Sequence, residues 1–446
     1  MHSEKVFQCD FFLTQNSRRL NRRAAFGYSE NAYAIRMTAA ALWARAIAHV
    51  DLDQFYAAVE ILDFPEFKGL PLIVGGAPGK RGVVSTASYE ARTFGVHSAM
   101  ASTQAAKLCP QAVWRLPRME RYAEISKQIH AVFARFTDLI EPLSLDEAFL
   151  DLTGSQRLFG APPEIARQIK AAILDELKLV ASVGVAENKF LAKVASDLRK
   201  PDALVVVEPG AANARKFLAP LPVSRLWGVG PKSAARLADL GLRTIADIAN
   251  APPKLLEKQL GPAAAEHLGA LSIGDDRRDV EVGGRPKSVG RENTFAEDLR
   301  DYAAMERELL YFAEDVSSRL RARKLKALGV TLKVRFGDFT TLSRQATFSE
   351  PTDISDELYA TAVALLRKVD FGRQGARLLG ISAHKFFGVG EWTKGLFEDE
   401  RAARRSRAAL AVDRLRGRFG DDAVLRGGLL SGRSENTGSA NDRPAQ

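Results

Sequence analysis

Ile47-Ala48-His49-Val50-Asp51-Leu52-Asp53 is the stretch on which the reading of this chain turns. Its apolar residues predict a buried strand, and two carboxylates stand at the C-terminal end of that strand. A second acidic cluster lies in Ser144-Leu145-Asp146-Glu147, at the start of a segment, Leu145 to Leu152, that alternates in the period of a β-strand. The neighbours Val50, Leu52, Leu145, Ala148 and Phe149 put these acids at the edge of a core. Ionised carboxylates there are opposed by desolvation and by one another. Divalent cations resolve the conflict: Mg²⁺ prefers hard oxygen ligands, usually one or two carboxylates plus substrate phosphates. Two such ions about 3.5–4 Å apart can clamp an in-line phosphoryl displacement. Asp51, Asp146 and Glu147 are therefore candidate metal ligands. On spacing alone, helix capping or pairing with arginine accounts for them equally well.

Outward from these clusters the pattern is mixed. Phe55 to Leu62 reads as a helix, and Leu72-Ile73-Val74 and Val83 to Thr86 as strands joined by a Gly-rich turn. That turn, Gly75 to Arg81, imitates a phosphate loop, but its glycine spacing is one residue short and no Ser or Thr follows Lys80. Ser102 to Leu108, Tyr122 to Phe136 and Lys189 to Leu198 read as helices, and Val183 to Ala186 as a strand. Ile165, Ile169, Ile173 and Leu177 form a helical stripe across Glu164 to Leu177. This mixture predicts an α/β or α+β catalytic domain. From about residue 210 to 280, small Ala-rich helices replace the strands. Residues 275–287 have linker composition. Then Met305, Leu309, Phe312, Val316 and Leu320 mark one helix face. Val330, Leu332, Val334 and Phe336 alternate with the basic-polar row Thr331, Lys333 and Arg335, and Leu379, Ile381 and Ala383 suggest a second strand. Residues 398–446 form a basic, helix-prone tail with a disordered end.

Other residues suit phosphate. In Ser85 to Arg92, a helical reading puts Tyr89 and Arg92 on one face with Thr86 at its mouth, and Lys200, before Pro201, is a further point charge. An ordinary surface helix explains the same residues. Leu226-Trp227-Gly228-Val229-Gly230-Pro231-Lys232 reads as a helix–hairpin–helix turn. There Gly228 and Gly230 free the backbone N–H groups to meet a DNA phosphate, and Lys232 adds charge. A plain Gly turn between helices is the alternative. The six histidines show no ligand spacing, and His49 reads as packing.

Charge is a further clue, which a polyanionic partner and an ordinary Arg-rich proteome explain equally well. Lys plus Arg is 64 against 54 Asp plus Glu in 446 residues, a net charge of +10, which suits a polyanionic partner. Two cysteines exclude a disulfide scaffold and fit a reducing cytoplasm. No apolar run is long enough to span a membrane. Residues 1–45 hold seven Lys/Arg against three Asp/Glu without periodicity and are expected to be a disordered arm, with Met37 an alternative start.

Val50 to Glu60, Ser85 to Val96, Pro142 to Asp151 and Lys189 to Lys193 together resemble the Y-family translesion DNA polymerases, with motifs in family order from about 47 to 388. The resemblance implies an α+β right-hand polymerase with a ferredoxin-like palm (46–53 and 121–207), small fingers (54–120), a helical thumb bearing the helix–hairpin–helix (208–278), a linker (279–287), a separate α+β little finger (288–388) and a tail (389–446). It implies error-prone, template-directed DNA synthesis. Two Mg²⁺ ions would be held by Asp51, Asp146, Glu147 and the backbone carbonyl of Leu52, with Asp53 structural. Tyr56 falls at the steric gate that excludes a ribose 2′-OH. Thr86, Tyr89, Arg92 and Lys200 fall at triphosphate-binding positions, and Ser85 lies over the nascent base pair. Thr331, Lys333, Arg335, Gly228, Gly230 and Lys232 would meet DNA. The implied partners are primer-template DNA, dNTPs and a sliding clamp, and the implied state is a monomer. Of the family's clamp peptide, Gln-Leu-x-Leu-Phe, the segment Thr393 to Phe397 keeps only Leu396 and Phe397. A non-catalytic DNA-binding scaffold is the rival reading, and the three acids argue against it.

Overall fold

The computed structural model describes residues 42–388, 391–392 and 400–430. Strand β1 (Ile47–Leu52) is followed by three short strands, β2 (Leu72–Gly75), β3 (Val84–Ala87) and β4 (Val113–Arg115), and then by β5 (Ile140–Pro142), β6 (Glu147–Asp151), β7 (Ala181–Ala186) and β8 (Leu204–Val206). Five of these form one sheet in the order β5-β6-β1-β7-β8, with β1 central and antiparallel to both neighbours. The two-residue period of β1 sorts its side chains by face. Ala48, Val50 and Leu52 enter the core shared with Tyr122, Ile125 and Ile129 of the helix Met119–Phe133, and with Ile165, Ile169 and Ile173 of the helix Pro162–Leu177. Ile47 joins the core built by Phe190 and Leu191 of the helix Lys189–Leu198. His49 and Asp51 share that second face.

The helix Lys189–Leu198 starts where the Asn188 side chain accepts a hydrogen bond from Leu191 N. It lies so close to β7 that a Cβ on Gly184 would stand 2.0 Å from the carbonyl oxygen of Ala192 and 2.4 Å from Ser196 N. Glycine at 184 is thus what lets this helix sit on the sheet.

The second sheet, β3-β2-β4, is small. It has its own core of Ile73, Val84, Ala87, Ala91 and Met100 around the buried, free Cys109. Gly75 to Arg81 joins β2 to β3 as a turn. Five helices follow, Ala211–Leu218, Pro231–Asp239, Ile245–Asn250, Pro253–Leu260 and Pro262–Ser272. The third sheet comprises β9 (Ser288–Leu299), β10 (Leu325–Phe336), β11 (Thr341–Thr352) and β12 (Ala376–Gly388), in the order β11-β10-β12-β9. Val330, Leu332 and Val334 pack on the helices Tyr302–Ala322 and Ser355–Leu366, while Thr331, Lys333 and Arg335 take the other face of β10. Two of its strands, β9 and β11, have no counterpart in the sequence reading.

The N-terminal end departs from expectation, while the tail is helical as read and its expected disordered end, 431–446, lies outside the described residues. Trp43, read with the N-terminal arm, is fastened to the first core: its N–H donates to Gln156 Oε1 at 2.8 Å, and its carbonyl accepts from Gln156 Nε2 at 2.9 Å. Residues 1–41 lie outside the described residues, as does the alternative start at Met37. The basic tail contains the helix Glu400–Phe419, and this helix is docked rather than free. Asp413 accepts from Arg321 Nε at 2.6 Å, and Arg416 and Arg426 reach Glu314 at 3.1 and 2.7 Å. Among the described residues no helix is long and apolar enough to cross a membrane.

Replacing Gly184 with alanine should destabilise the five-stranded sheet by more than about 2 kcal/mol, since the new methyl group meets backbone rather than a flexible side chain. Urea unfolding followed by circular dichroism checks it, and an unchanged midpoint refutes the close approach.

Candidate active site

The β1–β6 register sets Asp51 directly opposite Glu147. Leu52 N–H donates to the Asp146 carbonyl at 3.0 Å, closing the end of the strand pair. The three acids read from sequence therefore meet at one corner of the sheet. Like charges so placed repel, and each carboxylate has its own partner. Asp51 Oδ1 is 2.7 Å from Lys200 Nζ. Asp146 Oδ1 accepts from Ser144 Oγ at 2.6 Å. Glu147 Oε2 accepts from Lys193 Nζ at 2.6 Å, with the fully buried His49 Nε2 at 3.3 Å.

Their proton affinities diverge accordingly. Burial pushes the Asp51 carboxyl up to about 6, against the pull of Lys200, with Asp146 and Asp197 adding to the rise. Burial likewise raises Asp146, which Ser144 opposes and Glu147 reinforces. Burial also works to raise Glu147, but His49 and Lys193 outweigh it and hold the carboxyl at about 2.

Among the described residues no three His, Cys, Asp or Glu side chains are already grouped as a metal-ligand set. The three acids share that corner, each with its own partner there. The donor chemistry nonetheless fits a divalent cation. It consists of hard carboxylate oxygens, and burial disfavours the charged form of one of them, Asp51, a cost that a bound cation would offset.

Around the acids the remaining candidates divide. Tyr56 stands in the first turn of the helix Phe55–Asp63, its ring stacked on Tyr122 at 4.2 Å between centroids and 10° between planes. Burial and then the Asp146 charge raise its hydroxyl pKa, so Tyr56 borders the acidic corner. Tyr122 is itself anchored: its hydroxyl donates to the fully buried Glu60 at 2.7 Å, and Arg115 and Arg118 reach the same carboxylate at 3.1 and 2.7 Å. Thr86 lies on β3, as its strand reading expects, and Tyr89 and Arg92 occupy the one-turn helix Tyr89–Arg92 that follows. Tyr89 O–H donates to Asp53 Oδ1 at 2.9 Å, and the Arg92 guanidinium rests over the Tyr89 ring at 4.9 Å. Asp53, nearly fully buried, also accepts from Ser182 Oγ and from Asp202 N at 2.7 Å. It ties β1 to β7 and to the turn after Lys200.

Farther off, Gly228 takes φ +98°, and Gly230 precedes the helix Pro231–Asp239, on which Lys232 is exposed. On β10, Lys333 is already ion-paired with Glu292 at 2.8 Å, and Arg335 Nε donates to Thr341 Oγ1 at 2.8 Å. Thr393 to Phe397 lie outside the described residues. The sequence reading quoted Ser144 and Lys193 without giving them a role, passed over Asp197 and Ser182, and took His49 as packing alone. The spacing of Lys193, Asp197 and Lys200, four and three residues apart, was the available signal that one helix face turns toward the acids.

Three family models match this chain: the impB/mucB/samB family over residues 50–197, its C-terminal domain over 286–395, and the IMS family HHH motif over 211–242. A DNA polymerase IV of Desulfatibacillum aliphaticivorans is 43% identical over 387 residues, which is 86% of this chain and 97% of the relative. The chain belongs to the Y-family DNA polymerases. Another relative, a DNA polymerase IV of Halorhodospira halophila, is 44% identical over 338 residues, 76% of this chain and 94% of its own length. A solved Y-family DNA polymerase chimera aligns with a TM-score of 0.71 and 32% identity over 77% of this chain and 99% of its own. DinB from Sulfolobus solfataricus aligns at 0.55 and 32% over 76% and 98%. The mixed sheets and helices are consistent with the palm, thumb and little-finger architecture of that family. Polymerases of this family use divalent metal ions.

The raised Asp51 carboxyl has a thermodynamic consequence. The folded chain binds this proton more tightly than the unfolded chain, whose value lies near 3.8, so ionisation costs stability as pH rises from about 4 to about 6 and the cost is full above that. Asp51→Asn should raise the melting temperature at pH 8 by a few degrees and change it little at pH 4. Equal shifts at both values would refute the assignment.

Proposed function

We propose that Asp51, Asp146 and Glu147, with the backbone carbonyl of Leu52, are the metal-holding groups of this template-directed DNA polymerase. The enzyme extends primers and copies past damaged template bases. The observation that carries the reading is the β1–β6 register that sets Asp51 against Glu147. Two Mg²⁺ ions bound there would supply activation of the primer 3′-OH and charge compensation for the triphosphate and the departing pyrophosphate. Phosphoryl transfer asks of the protein position and charge more than a covalent nucleophile, and the chain's own groups provide both. The palm sheet holds the acids on paired strands. Lys200, Thr86 and Arg92 donate to the triphosphate oxygens, and Tyr89 joins them by exchanging its O–H bond to Asp53 for one to phosphate. Arg92 is exposed, and the Ala87 carbonyl and the Tyr89 ring are its contacts among the described residues, so it can turn to a phosphate.

Tyr56, braced by Tyr122, excludes the 2′-OH of a ribonucleotide. Small fingers, with Ser85 above the nascent pair, leave selection mainly to base pairing, which makes synthesis error-prone. The proposed limits are palm 46–53 and 121–207, fingers 54–120, thumb 208–278, linker 279–287 and little finger 288–388. Gly228, Gly230 and Lys232 on the thumb, and Thr331, Lys333 and Arg335 on the little finger, meet the DNA backbone. For the last group this requires Lys333 to exchange Glu292 for phosphate. A sliding clamp engages Thr393 to Phe397, and the enzyme works as a monomer in the cytoplasm.

Two substitutions test the site. Asp146→Ala should slow primer extension in Mg²⁺ by about a thousandfold or more, the equivalent of roughly 4 kcal/mol in the barrier; extension at the wild-type rate rules out the metal assignment. Tyr56→Ala should increase ribonucleotide insertion relative to dNTP insertion by at least about tenfold. Unchanged sugar selectivity, measured with matched rNTP and dNTP pairs, removes Tyr56 from the gate.

A further inference from the structure

Lys200 answers two carboxylates at once, Asp51 Oδ1 at 2.7 Å and Asp197 Oδ1 at 2.9 Å. The two are not equivalent. Asp51 belongs to the acidic corner on β1. Asp197 lies in the last turn of the helix Lys189–Leu198, three residues before Lys200, with a side chain 37% exposed against 16% for Asp51. The helix that carries Asp197 is locked onto β7 by the close approach at Gly184, so this carboxylate is a fixed point.

A lysine ammonium is a strongly hydrated charge on a flexible four-carbon stem. Left to itself it samples many positions, and few of them serve a phosphate. An Asp51 oxygen cannot serve a divalent cation and an ammonium equally, because the two cations repel. When Asp51 turns to the metal, Asp197 is the remaining carboxylate, among the described residues, that is ion-paired with Lys200. We propose that Asp197 is a positioning residue: it retains Lys200 at the mouth of the site and aims its ammonium at the triphosphate of the incoming nucleotide. The inference rests on the reading of Lys200 as a triphosphate contact. Asp197 would act through Lys200 rather than on the nucleotide itself.

The test is a double-mutant cycle on full-length protein, using Asp197→Asn, Lys200→Met and the double variant. The primary readout is the dissociation constant of the correct dNTP from a complex with a dideoxy-terminated primer-template in Ca²⁺, where no turnover occurs. Melting temperatures confirm that each variant is folded, and Asp197→Glu serves as the conservative variant. Asp197→Asn should weaken dNTP binding about fivefold, a size typical of residues that share a partner, while primer-template affinity holds. Steady-state kinetics should show the loss in KM more than in kcat. Asp197→Glu should recover most of it, and Asp197→Asn should cost almost nothing more in the Lys200→Met background. Wild-type nucleotide affinity in Asp197→Asn, or an equal loss with and without Lys200, overturns the positioning role. Wild-type affinity in Lys200→Met instead overturns the triphosphate reading on which it stands.

Discussion

The molecule depends on one unfavourable juxtaposition. Antiparallel pairing sets Asp51 across from Glu147 on adjacent strands, with Asp146 one residue away, where like charges directly opposite destabilise a sheet. Such a pair persists because the surrounding sheet over-determines it. β1 is central, its apolar face is fully buried, and β6 and β7 pair with it on either side. The stability of the palm core is thus what holds oxygens together that would otherwise separate.

The rest of the corner moderates that repulsion without cancelling it. Lys193 and Lys200 supply cations, Ser144 supplies a hydroxyl, and Asp53 is taken out of the cluster by Ser182, Tyr89 and Asp202. The two aspartates two residues apart on β1 accordingly have different tasks, set by what each faces: Asp51 borders the acids, while Asp53 fastens strand to turn. Both lysines come from the segment 193–200, so one helix and its exit loop control the charge balance of the site.

Much of this was legible in the sequence, and the gaps have physical causes. β1, β6 and the helix Lys189–Leu198 bury strong apolar patterns and were read within a few residues of their observed limits. β4, β5 and β8 are three residues each, too short for any period to show. β9 and β11 are the edges of their sheet, and edge strands carry polar and charged residues that mask alternation. The stretch Ser85 to Arg92 divides into strand and helix because Ser88 caps a new turn, its side chain accepting from Ala91 N. At the site, the acids were recognisable as clusters facing a core. Their partners were not, since Lys193 and Asp197 read as ordinary positions on a helix until that helix is laid against the sheet. The docked C-terminal helix was hidden for a similar reason: a run of arginines looks solvated until Asp413 and Arg416 find Arg321 and Glu314.

The cluster around Glu60 gives the enzyme two very different sensitivities to ionic strength. The carboxylate that joins the helix Phe55–Asp63 to β4 and to the helix Met119–Phe133 is wholly buried, while Arg115 and Arg118 are 31% and 33% exposed, so electrolyte screens these pairs less than it screens a pair exposed on both sides. A grip on nucleic acid made through surface phosphate contacts weakens steeply as counterions accumulate. If the proposed surface contacts hold the template, rising salt would loosen that hold before it parts the helix Phe55–Asp63 from β4.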